Sequence, residues 1–203
     1  MQLRKLLYNR LTIATFSVIA VAVTFYVYVV DASSRALIDL DVYMQAAKAF
    51  ANGENIYQTA YSVTDRWGRS IQLYYYYPPL LAHALSHFIS LNETTVKVGW
   101  CLLNFASMII SSVSLSSVVK HSWWGSISSI PRTLLFGFFV MCFEPLYVGN
   151  GDGQVTAIIL ATLSLASLAA VRRDNFLEGA LLALAINIKI SPALLLLAPI
   201  VFG

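Results

Sequence analysis

The chain has 203 residues, a formal net charge of +3, 58% hydrophobic residues and only 11% charged ones, where a soluble domain carries about 25%. With a mean hydropathy of +0.70 and apolar stretches of spanning or near-spanning length, this excludes a typical cytosolic enzyme and a disordered chain. It predicts an integral membrane protein of one domain, residues 1–203. Lys and Arg are scattered along the chain, without a basic stripe, so nucleic acid is not an expected partner.

The first predicted span is Leu11–Val30, preceded by Arg4, Lys5 and Arg10. No small-residue cleavage site follows it, so it reads as an uncleaved anchor with a cytoplasmic N-terminus. Residues 31–95 form an extracytoplasmic loop with interfacial helices, and Asp31, Asp39, Asp41, Glu54 and Asp65 make its first part the most polar stretch. Within it Leu40–Asn52 reads as a short helix, with Val42, Ala46 and Phe50 at fourfold spacing and Gly53 at the C-terminal cap. Pro78 and Pro79 suit the start of a second short helix, Leu80–Leu91, which is too short to cross.

Further spans are predicted at about 96–119, 133–148, 155–171, 176–188 and 193–202. Gly149–Gln154 and Arg172–Asn175 are turns between them. If Leu80–Leu91 does not cross, Lys120, Arg132, Arg172 and Arg173 fall on the cytoplasmic side. Asp31–Tyr77 and the Gly149–Gln154 turn then share the extracytoplasmic face. The fold class is an all-α, polytopic transmembrane bundle with extracytoplasmic juxtamembrane helices.

Several residues could carry chemistry. Asp39 and Asp41 stand where the polar loop enters a helix, where a carboxylate could act as general base towards a hydroxyl. Equally, Asp39 is placed to cap that helix and Asp41 to favour its dipole. Lys189, between apolar segments and followed by Pro192, could bind a phosphate or could snorkel to the interface. Glu144, Asp152 and Gln154 could bind sugar hydroxyls or form a solvated turn. The run Tyr74–Tyr77, with Trp100, Trp123 and Trp124, could stack on sugars or form an interfacial belt. His83 and His87 share a helix face without a third metal ligand. Cys101 and Cys142 read as buried free thiols, and Asn92-Glu93-Thr94 is an N-glycosylation triplet.

Taken in order, the motifs resemble glycosyltransferase family 87, a family of polytopic enzymes of the GT-C type. Asp39-Leu40-Asp41-Val42-Tyr43, Ala46-Ala47 and Gly53 to Tyr57 resemble its first-loop pattern. Tyr77-Pro78-Pro79-Leu80 is similar to its Tyr-Pro-Pro-Leu, and Gly153-Gln154-Val155 to its Gly-Gln-Val. Gly179, Ala183, Lys189 and Pro192 follow its Gly…Ala…Lys-x-x-Pro stretch. Thr156 stands where the family usually has Asn.

The resemblance implies transfer of a hexose, commonly mannose, from a polyprenyl-phosphate donor to an extracytoplasmic glycolipid or glycan acceptor, with inversion. It implies Asp39 as the base, with Asp41 as the alternative, and Lys189 as the donor-phosphate cation. Tyr43, Tyr77, Asp152 and Gln154 are the expected substrate-binding residues. No nucleotide-binding fold is required, because a lipid phosphate leaves; no cofactor is expected, and no metal-ligating residues are assigned. The membrane would be a bacterial plasma membrane. Family members continue with further spans, so the chain reads as the N-terminal part of a longer enzyme, or as one whose C-terminal half comes from a partner chain. The rival reading is a non-catalytic membrane subunit or lipid-binding scaffold.

Overall fold

The computed structural model describes residues 15, 18–19, 21–65, 67–120 and 129–197. The first and last expected spans and the Trp123–Trp124 pair fall partly or wholly outside them. Helix α1, Val21–Asp31, widens into π-helical turns over Tyr26–Asp31. Helix α2, Ile38–Ala51, follows. It starts two residues before the expected helix and ends, as the sequence suggests, ahead of Gly53, whose φ of +75° reverses the chain.

The polar loop is not all helix. Strands β1, Ala60–Thr64, and β2, Ser70–Tyr74, pair antiparallel, with Tyr61 opposite Leu73 and Val63 opposite Ile71. This corrects the all-α expectation. The cause is local: Tyr61 and Val63 turn inward while their neighbours stay exposed. The Asp65 carboxylate then closes the turn by accepting from the backbone N–H groups of Trp67 (2.9 Å) and Arg69 (2.8 Å) and from the Arg69 guanidinium (2.7 Å). Gly68, at φ +78°, supplies the left-handed step.

Helix α3, Pro79–Ser86, has 8 residues, about 12 Å at helical rise, against about 30 Å of hydrocarbon. It therefore cannot span. The family of helices beyond it begins with α4, Glu93–Val119, of 27 residues. Its pattern is inside out. Asn104, Ser107, Ser111, Ser112, Ser114 and Ser116 are buried, while Leu102, Leu103, Ile109, Ile110 and Val113 point outward. That is how a helix behaves when its outer solvent is lipid: small and polar residues allow close helix packing and apolar ones face the tails. The buried hydroxyls bond back to their own helix, as Ser111 does to the Ser107 carbonyl at 2.8 Å.

The expected span 133–148 is broken. Helix α5, Ser129–Cys142, and α6, Glu144–Gly151, meet at 59°. Pro145 has no N–H to give to the Met141 carbonyl. That carbonyl instead accepts from the Tyr28 hydroxyl at 2.6 Å, and Asn150 bonds the Tyr28 carbonyl at 3.1 Å. The break thus ties α1 to the α5–α6 corner.

Helices α7, Thr156–Val171, and α8, Asn175–Ile188, come within a residue of their expected bounds, and a 3-10 turn covers Ser191–Leu197. Among the described residues α4 is long and apolar enough to cross a membrane, and the bent α5–α6 pair would make a second, broken span; α7 and α8 are shorter apolar helices. Helix α7 packs on α4 and α8, with Ala157, Ala161, Ala166 and Ala169 buried along it. This brings the turn before α7 up against the N-terminus of α2.

Candidate active site

The first turn of α2 is built without a side-chain cap. Leu37 occupies the N-cap position, and no side chain there accepts from the turn. Asp39 is inside the helix, which corrects its expected capping role. Its backbone N–H, one of the orphan donors of a helix start, gives instead to the Asp152 carbonyl at 2.8 Å. A neighbouring loop therefore does the capping, and the Asp39 carboxylate is left for other work.

That loop is held by two devices. Helix α6 runs on to Gly151, further than the sequence turn at Gly149–Gln154 suggests. It ends in a paired closure, Gly153 N–H to the Asn150 carbonyl at 3.1 Å and Gln154 N–H to the Gly149 carbonyl at 2.7 Å, with Gly153 left-handed at φ +80°. A Cβ on Gly153 would stand 2.9 Å from the Leu40 Cβ and 3.1 Å from the Leu40 nitrogen. Only glycine lets the loop lie this close to α2. The Trp100 indole, buried, then donates to the Gly153 carbonyl at 2.8 Å. Trp100 is a strut beneath the loop, not part of an interfacial belt.

Around Asp39 the elements converge. The carboxylate is half-buried, and burial lifts its pKa above the usual range. Hydrogen bonding from the Gln154 side chain and the charge of Lys189 act against that rise, while the Asp152 charge adds to it. Gln154 is itself oriented, since its Oε1 accepts from the Thr156 hydroxyl at 3.1 Å. Thr156, the departure from the family pattern, thus holds the amide in place.

Lys189 ends α8, where a cation suits the helix dipole. Its Nζ lies 5.7 Å from the centre of the Tyr77 ring. Tyr77 meets Tyr43 edge to face at 4.9 Å. Tyr43 is fully buried, and among the described residues its hydroxyl has no hydrogen-bond partner of good geometry. Burial pushes the Tyr43 and Tyr77 phenols above their ordinary pKa, so both remain protonated donors. Asp39, Tyr43, Tyr77, Asp152, Gln154 and Lys189 thus form one cluster, drawn from α2, the segment before α3, the α6–α7 turn and the end of α8.

Asp41 is elsewhere. Two residues on, a helix has turned about 200°, and Asp41 lines a separate hollow beside Lys97 and Glu93. Glu144 starts α6, at the end remote from Asp152, and is exposed. His83 and His87 meet edge to face with ring centres 5.3 Å apart on the exposed side of α3. Cys101 is buried as expected, but Cys142 is exposed, because the break after it leaves the end of α5 uncovered. Arg35 and Arg69 are engaged by Asp31 and Asp65. Among the described residues no three His, Cys, Asp or Glu side chains converge as metal ligands would.

Sequence reasoning overlooked Trp100 and Gly153 as supports for Asp39. A glycine immediately after a helix end was the available sign for the second; nothing in the sequence marked the first.

The described residues thus form a mainly helical chain with one long helix whose apolar residues face outward and a carboxylate–lysine–tyrosine cluster drawn from four segments. The chain belongs to glycosyltransferase family 87, whose sequence model matches residues 75–202. Members of that family are membrane proteins. The matched stretch contains Tyr77, Asp152, Gln154 and Lys189; Asp39, Asp41 and Tyr43 lie before it. No curated protein and no solved structure matches the chain significantly.

Proposed function

We propose that this glycosyltransferase moves a hexosyl group, mannose in the first instance, from a polyprenyl-phosphate donor to a glycolipid or glycan acceptor, with inversion. Asp39 is the general base. It takes the proton of an acceptor hydroxyl as that oxygen forms a bond to the anomeric carbon and the bond from that carbon to the phosphate oxygen breaks. The polyprenyl phosphate leaves with the bonding electrons, and the Lys189 ammonium stabilises its charge. Gln154 and Asp152 bind sugar hydroxyls, and the Tyr77 ring supports both sugar and lysine. No step draws on a cofactor.

The observation that carries the proposal is that Asp39, beside Gln154 and Asp152, and Lys189, over the Tyr77 ring, fall in one cluster although they lie far apart in sequence. A base and a phosphate-binding cation are the two groups that this reaction needs. A raised carboxylate pKa also suits a base working near neutral pH.

The proposed sidedness is supported by the charges around α7. Its 16 residues separate the Asp152 loop from Arg172 and Arg173 by about 24 Å. By the positive-inside rule the arginines lie in the cytoplasm and the Asp39 cluster outside. On this reading the protein crosses the membrane several times, the bacterial plasma membrane being the natural setting, and residues 31–95 are extracytoplasmic. Further helices, continuous with this chain or from a partner chain, would complete the lipid-facing wall.

The test is transfer of radiolabelled sugar in membranes carrying the protein, with polyprenyl-phosphate mannose as donor. Product formation that depends on donor and is lost in Asp39→Ala supports the reading. Donor-dependent product that survives in Asp39→Ala removes Asp39 as base. Absence of product with mannose and glucose donors alike, from folded protein, would favour the non-catalytic subunit.

A further inference from the structure

The hollow on the other side of α2 has a volume of about 530 Å3, inside the roughly 300–1,000 Å3 of small-molecule sites. It opens between α2, β1 and the start of α4. Four charged side chains line it, Asp41, Lys48, Glu93 and Lys97. They cancel in sign, and Lys97 already pairs with Glu93 at 2.5 Å. Its floor is apolar, from Met44, Ile89 and Val96.

Asp41 is the unusual member. It is half-buried, and among the described residues its carboxylate accepts no hydrogen bond; burial lifts its pKa, the Lys97 charge opposing and the Glu93 charge adding. Its oxygens, without protein donors, stay accessible from the hollow and open to donors from a ligand. A phosphate or carboxylate ligand would meet Asp41 and Glu93, and a cationic one Lys48 and Lys97. A neutral polyhydroxylated ring meets neither objection. Its hydroxyls donate to Asp41, and its C–H face rests on Met44 and Val96.

We propose that this hollow is a hexose-binding subsite that holds a neutral sugar unit of the acceptor glycan, with Asp41 as its principal hydrogen-bond acceptor. The link to an acceptor rests on the transfer reaction proposed above, but sugar binding here stands or falls without it. Leu40 lies between the two sites, touching Gly153 on one side and lining the hollow on the other. A glycan bound in the hollow is therefore held one helix-width from the base.

The test is binding of methyl α-mannoside and methyl α-glucoside to the full chain in nanodiscs, read by saturation-transfer difference NMR. Asp41→Asn is expected to weaken binding about tenfold, the loss of one charge-assisted hydrogen bond. His83→Ala, on the exposed side of α3 and outside both sites, should change it less than twofold. Thr64→Trp, at an exposed strand position on the rim, should abolish the part of the binding that depends on Asp41 by filling the space. Glucuronate and glucosamine should bind no more tightly than the neutral sugars. The proposal is overturned if neither sugar binds, if Asp41→Asn and Thr64→Trp leave binding unchanged, if His83→Ala abolishes it, or if a charged sugar binds tenfold better. Because no transfer is measured, an inactive but sugar-binding protein would count against the catalytic reading alone.

Discussion

Asp39 and Asp41 leave the same helical turn, are both half-buried, and both have pKa values raised first of all by burial. Their neighbours separate them. Asp39 faces an oriented amide, a lysine, a second carboxylate and the Tyr77 ring, brought from three other parts of the chain, together with Tyr43 of its own helix. Asp41 faces a hollow whose charges are already balanced. The comparison teaches that burial alone makes a carboxylate reluctant to ionise, whereas its partners decide whether that reluctance serves proton transfer or hydrogen bonding.

The sharpest way to break this contrast is to neutralise each carboxylate in turn. Asp39→Asn is expected to lower kcat by about 10²–10⁴-fold, the usual worth of a general base. Asp41→Asn should act mainly on the acceptor KM. Steady-state transfer with varied acceptor measures both, and equal losses of kcat would abolish the distinction.

Lys189→Met should come next. Removing the cation that faces the leaving phosphate is expected to cost about 10²-fold in kcat, with Lys189→Arg retaining much of it. The same transfer assay decides, and a Met variant of full activity would leave the lysine a mere helix-end cation.

Gly153→Ala probes the scaffold beneath Asp39. The added methyl meets Leu40 and Leu37 at 2.9 and 3.0 Å in a left-handed residue, so a loss of about 1–3 kcal/mol is expected. Thermal unfolding in detergent measures it. Activity should fall with stability, while sugar binding at the Asp41 hollow should be retained in the protein that remains folded.

The smallest effect concerns pH. A carboxylate whose pKa is raised on folding binds its proton more tightly in the native state, so stability declines as pH climbs from the ordinary carboxylate value of 3.8 through the raised one, and is level above it. Asp39→Asn should therefore raise the melting temperature by a few degrees at neutral pH and have little effect at pH 3. Transfer activity should rise with pH on its acid limb, with a midpoint above the usual Asp range. A melting temperature lowered by Asp39→Asn at neutral pH would mean that the cluster stabilises the charge instead.

Much of this protein was legible in its residues. The runs behind α4, α7 and α8 and the reversal at Gly53 follow from apolar length and glycine, signals that act over a few turns of chain. The hairpin was present as alternation at Tyr61 and Val63 with Asp65 and Gly68 between the strands, and the kink as Glu144-Pro145, but both lay inside stretches whose overall hydropathy pointed to something simpler. What sequence alone determined was therefore the membrane character, most helix positions and the pool of polar residues available for chemistry. Tertiary structure decided which of those polar residues share a site. A helix sends residues two apart to different faces, and only the approach of the Gly153 loop and the end of α8 to one of those faces makes Asp39 different from Asp41.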